Sequence, residues 1–157
     1  MNAASLTVAP NKARPVHALL AGGLSAGVLD LAAALINTAL QGRSLMRMLQ
    51  AIASGLLGAD SFTGGFAAAA LGVALHFIIA TGATAVYYAA SRKLGFLLKQ
   101  TILCGLAYGV AVYLFMNSIV VPLSAAPFEI PYTLTGLTIH MFCVGLPIAL
   151  AVRRFAK

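Results

Sequence analysis

Five residues of this sequence combine chemistry with an unusual setting: Asp30, His76, Tyr113, Asn117 and His140 each lie inside a long apolar run. A carboxylate, two imidazoles, a phenol and an amide can pass a proton or hold a small cation. An acid at the bilayer centre costs roughly 2.5–3.5 kcal/mol on insertion scales, so Asp30 is expected to pair or to face water. A second reading makes the five residues interhelical hydrogen-bonding groups, each bond worth about 0.6 kcal/mol. A third makes His76 and His140 axial haem ligands or, with Asp30, ligands of a divalent metal. Two lone histidines on separate segments have no defining spacing, so no resident cofactor is expected. His17, beside a basic lead, reads as an interfacial residue. The sequence carries no nucleophile motif, P-loop or dinucleotide fingerprint, so it is not expected to be an enzyme.

The elements that hold these residues follow from composition. The chain has 157 residues, 61% hydrophobic and 8% charged, with a mean hydropathy of +0.97. Soluble domains carry about 25% charged residues, so this chain lacks the polar surface to face water all round. Four continuous apolar spans are read at 17–40, 64–90, 101–121 and 132–152. Each exceeds the roughly 20 residues a helix needs to cross the hydrocarbon layer. Barrel strands alternate polar and apolar residues over about 10 positions, unlike these runs. The expected fold is all-α: one transmembrane domain over 1–157, a bundle of four membrane helices. Between the first two spans, Leu45, Met48, Leu49, Ile52 and Leu56 recur at helical spacing after Ser44, a cap residue. They predict a short amphipathic interfacial helix over about 44–57, ended near Gly55 or Gly58. Pro122, Pro127 and Pro131 punctuate the last connection, and Pro131 suits the first turn of the fourth span.

Small and polar residues share helix faces. Gly23 and Gly27 lie on the stripe of Asp30, and Gly72 lies on that of His76. Gly105 and Gly109 share one with Tyr113 and Asn117, and Gly136 shares one with His140. Small residues four apart let membrane helices approach closely, so the polar groups on those stripes should face neighbouring helices. At 1.5 Å per residue all five polar groups fall roughly 18–24 Å from one end of their spans, in one layer. Cys104 and Cys143 both lie within spans, outside any C-x-x-C arrangement, and read as packing residues.

Ten Lys and Arg against three acids give a formal charge of +7. Lys12, Arg14, Arg92, Lys93, Lys99, Arg153, Arg154 and Lys157 fall on one side of the spans, and Arg43 and Arg47 on the other. The richer side should be cytoplasmic, which places both termini there. Basic residues at span ends set orientation, so nucleic-acid binding is not expected. The first span exceeds the 7–15 apolar residues of a signal peptide, and no small-x-small cleavage site follows it. The expected partners are the lipid bilayer and either further copies of the chain or a larger membrane complex. Four helices enclose little space, so a conducting form should be oligomeric.

The stretch Leu75-His76-Phe77-Ile78-Ile79 followed by Ala85-Val86-Tyr87-Tyr88 resembles the second span of the YagU-like family of bacterial inner membrane proteins. The segment from Asn117 to Leu123, with Pro127 and Pro131, is similar to the same family, as is Gly136-Leu137-Thr138-Ile139-His140. The resemblance covers roughly the last three spans and supports singling out His76, His140, Pro122 and Pro127; Asp30 lies outside it. It implies a small multi-pass inner membrane protein of a family without an established activity, to which acid tolerance is attached as a label. The leading expectation is conduction or sensing of protons or small cations through the polar layer. A non-catalytic accessory or assembly protein is the alternative, and a bis-His haem or metal carrier the second alternative.

Overall fold

The computed structural model describes residues 14–155; Lys12 and Lys157, used above for orientation, lie outside them. Among the described residues the structure is helical, without strands. The membrane helices are α1 (Pro15–Leu40), α3 (Gly65–Lys93), α4 (Thr101–Leu123) and α5 (Leu134–Phe155), all long and apolar enough to cross a bilayer. The shorter α2 (Leu45–Leu57) joins α1 to α3. Pro15 opens α1 with no backbone N–H to strand. Ser44 caps α2, its Oγ accepting from the Arg47 N–H at 3.3 Å. Gly58 stops that helix at φ +63°, where a Cβ would be strained. Thr133, not Pro131, opens α5: its Oγ1 accepts from the Gly136 N–H at 3.0 Å. Pro131 therefore precedes the helix instead of sitting in its first turn, because a threonine hydroxyl satisfies an orphan N–H that proline cannot.

Prolines shape the interiors of α4 and α5. A widened turn, Met116–Val120, leads into Pro122, and another, His140–Gly145, leads into Pro147. A proline ring clashes with the carbonyl four residues before it and withholds a hydrogen bond. Those carbonyls belong to Ser118 and Cys143, and both lie inside the widened turns, where i→i+5 bonding makes room.

Packing follows the glycine stripes. α1 lies against α3 and α5, α2 lies against α3, and α4 lies against α5. A Cβ on Gly23 would meet the Thr81 side chain at 2.5 Å, and one on Gly27 would meet the Phe77 ring at 2.6 Å. On Gly72 it would strike the Leu49 carbonyl, and on Gly109 the His140 carbonyl and Met141 Cα. Gly105 faces Ala149 and Leu146, and Gly136 faces the Tyr113 ring. All six stripe glycines thus sit at helix contacts, as do Gly22 against Thr84 and Gly145 against Gly109.

The structure shows which face of α2 meets the bundle. Its buried residues are Gln50, Ala53 and Ser54. Leu45 and Leu56 are exposed, while Met48, Leu49 and Ile52 are only partly covered. The helix packs on α3 by its small and polar face, with Gln50 Nε2 donating to the Gly65 carbonyl at 3.0 Å. Hydrophobic burial does not decide the face when the surroundings are as apolar as leucine; backbone proximity does.

At one end of the bundle the Arg14 N–H donates to the Phe155 carbonyl at 2.9 Å, bringing the described ends of the chain together. Arg153 reaches Thr101 Oγ1 at 3.4 Å on the same end. Alternating helices place Arg92, Lys93 and Lys99 there too, and Arg43 and Arg47 at the other end. At that other end the Ala125 N–H donates to the Gly55 carbonyl at 3.0 Å, pinning the α4–α5 connection onto α2.

A paired substitution tests these seams. Gly109→Leu forces α4 off α5 and should lower the thermal midpoint in micelles, by about 1–3 kcal/mol or more of overpacking. Gly82→Leu, whose Cβ would meet nothing within 4 Å, should leave that midpoint unchanged.

Candidate functional site

Asp30 comes from α1, His76 from α3 and His140 from the widened turn of α5, and all three line one cavity of about 140 Å³. Ile52 of α2 and Val112 and Met116 of α4 also line it, so all of α1 to α5 contribute. The glycine contacts put the polar groups there. Gly27 lets α3 approach α1 so closely that His76 Nε2 reaches the Gly27 carbonyl at 2.9 Å. Gly109 admits the backbone at His140 against α4.

The nearest charged partner of His76 is Asp30, with Nε2 and Oδ2 at 3.9 Å and the two side chains 15% and 16% exposed. That distance is too long for a direct hydrogen bond. It suits an ion pair when the ring is protonated, or a bridging water. Cys143 of α5 also lies within electrostatic range of Asp30.

The hydrogen bonds fix which ring nitrogens carry protons. A carbonyl oxygen only accepts, so His76 must donate through Nε2 to Gly27. His140 must donate through Nδ1 to the Gly136 carbonyl at 2.9 Å. Each neutral ring then keeps one unprotonated nitrogen, Nδ1 on His76 and Nε2 on His140. Asp30 adds a carboxyl group to the polar part of the cavity wall. Such a wall suits a proton or a hydrogen-bond-donating cation.

The structure does not bring all five predicted residues into that cavity. Tyr113 is buried beside it, its ring edge-on to His140 at 5.2 Å between centroids. Its hydroxyl donates to the Thr133 carbonyl at 3.1 Å and accepts from the Thr133 N–H at 2.7 Å, fastening α4 to the start of α5. Asn117 donates from Nδ2 to the Tyr113 carbonyl at 2.8 Å, a bond within its own helix. Ser118 pairs instead with the Tyr132 hydroxyl at 2.7 Å. Depth alone grouped Tyr113 and Asn117 with the others; their facing and hydrogen bonds separate them. Nothing in the sequence marked Ile52, Met116 and Val144 as cavity walls, since apolar letters there read equally as lipid-facing. Among the described residues no group of three His, Cys, Asp or Glu gathers to hold a metal ion, and both cysteines are free thiols.

The fold and its apolar exterior define a multi-pass membrane protein that contacts the lipid bilayer through four helices. Comparison with models of known protein families, with curated proteins and with solved structures finds no match.

Tyr113→Phe separates fastening from chemistry. Loss of the hydroxyl removes two bonds to Thr133, whose carbonyl keeps the Leu137 N–H at 3.0 Å, and should cost about 0.5–1.5 kcal/mol of stability. Thermal unfolding should register that cost.

Proposed function

We propose that this chain is a bacterial inner membrane protein, with both termini cytoplasmic, that binds and relays protons at Asp30, His76 and His140. The observation that carries the reading is the Asp30–His76 pair at 3.9 Å on the wall of a cavity shared with His140. An intramembrane acid is costly and is kept where it meets a partner or a polar path. Imidazole changes charge between about pH 5 and 8, the range in which a membrane protein meets acid stress or a proton gradient. The titratable groups around the pair are His140 and Cys143 of α5 and Tyr113 of α4. The orientation rests on the one-sided basic residues at the bundle end. The YagU-like resemblance agrees with an inner membrane location and rests on the segments around His76, Pro122 and His140.

A structural reading competes on a specific observation. The hydrogen bonds of Tyr113, Asn117 and His140 all run to backbone carbonyls or N–H groups, which is how interhelical and intrahelical fastening works. On that reading the chain is an accessory or assembly subunit.

Proton flux in sealed proteoliposomes decides between these readings. The parent chain should conduct above empty vesicles, with a rate that differs between about pH 5.5 and about pH 7.5. His76→Gln and Asp30→Asn should each reduce that flux at least about tenfold while preserving the thermal midpoint. Equal flux in parent, variants and empty vesicles would leave the polar layer as fastening only.

A further inference from the structure

α3 and α4 leave a groove between them. They meet through tyrosines: Tyr108 donates its hydroxyl to the Ala83 carbonyl at 2.7 Å, and its ring lies edge-on to Tyr87 at 4.9 Å. Beyond that contact they enclose an apolar groove of about 500 Å³, with Gly82, Val86 and Phe115 among its walls. Ile79, Ala83, Val112 and Met116 line both this groove and the polar cavity. The two spaces therefore adjoin across four shared side chains. One is apolar and lies between membrane helices; the other presents a carboxylate and two imidazoles. Binding sites for small molecules combine this size and apolar lining with a few polar groups that fix orientation.

We propose that groove and cavity together form a site for a single-chain lipophilic ammonium that enters from the bilayer. Its alkyl chain lies in the α3–α4 groove, and its ammonium reaches the Asp30 carboxylate. Charge complementarity selects this occupant. Asp30 lines the polar cavity and is the one acid within the four membrane helices. A primary ammonium brings three N–H donors and a positive charge. A neutral alcohol brings one donor, and an ordinary acyl chain brings none. Tyr108 already spends its hydroxyl on Ala83, which leaves its ring as an apolar surface at the groove. The proposal rests on Asp30, His76 and His140 forming a site, and extends that reading by naming a ligand.

Gly82 supplies the test. It lines the groove, and a Cβ there would meet nothing within 4 Å, so a larger side chain fills the groove without pushing on the bundle. Saturable binding of radiolabelled dodecylammonium is measured on the full chain in phosphatidylcholine nanodiscs, against empty discs. Dodecyltrimethylammonium and dodecanol serve as competitors. The expected result is saturable binding that dodecanol displaces at least tenfold less well and dodecyltrimethylammonium with intermediate strength. Gly82→Phe and Asp30→Asn should each weaken it at least tenfold. Unchanged proton flux in Gly82→Phe would then show that the groove serves the ligand and not the relay. No saturable binding to the parent, or equal competition by dodecanol, overturns the proposal. So does a Gly82→Phe variant that binds normally, or one that changes only the oligomeric state, which would make the groove a contact between copies. If binding fails while His76-dependent flux persists, the proton reading stands alone; if both fail, the cavity is packing.

Discussion

In a bilayer, apolar side chains gain nothing by leaving lipid for the company of other apolar side chains, so something other than hydrophobic burial must hold helices together. In this protein it is backbone proximity, obtained where glycine faces a neighbouring chain. The contact of Gly109 with His140 and Met141, beside Gly145 on the facing helix, is one expression of it. That contact joins α4 to α5 at the level of the cavity and fixes where the His140 backbone lies. The Gly27 contact does the same for His76 on the other side. Removing either close approach would move an imidazole as well as weaken a helix pair.

Proline-widened turns belong to the same economy. Pro122 and Pro147 each follow a stretch in which the helix has opened by one residue per turn. The turn in α5 begins at His140, so the change of phase bears directly on which side chains face inward. Widened turns in membrane helices survive only where neighbours satisfy or shield the freed backbone. Here the close packing of α4 against the turn in α5 supplies that shielding. Seam, turn and imidazole are one arrangement.

Most other polar side chains within the helices serve fastening. Thr84 donates to the Ala80 carbonyl at 2.9 Å and Ser91 to Tyr88 at 2.7 Å, each within its own helix. Tyr108 and Tyr113 cross between elements and tie them by carbonyl bonds. Against that background the Asp30–His76 pair is distinct. It is an approach between two ionisable side chains on different helices, set on a cavity wall.

The sequence by itself determined the four apolar spans, the short helix after Ser44 and the placement of Gly23, Gly27, Gly72, Gly105, Gly109 and Gly136 at contacts. Continuous hydropathy and four-residue spacing are local properties, and lipid leaves the backbone few alternatives to helix. The pairing of Asp30 with His76 was legible only as a shared depth, which included Tyr113 and Asn117 on equal terms. Tertiary structure separated them, because rotation about each helix axis and the phase slip at His140 decide which residues face the cavity. It also decided that α2 buries Gln50, Ala53 and Ser54 instead of its leucines, and that Ile52 and Met116 become walls. Apolar letters cannot announce that choice, since lipid and a helix interior reward them almost equally.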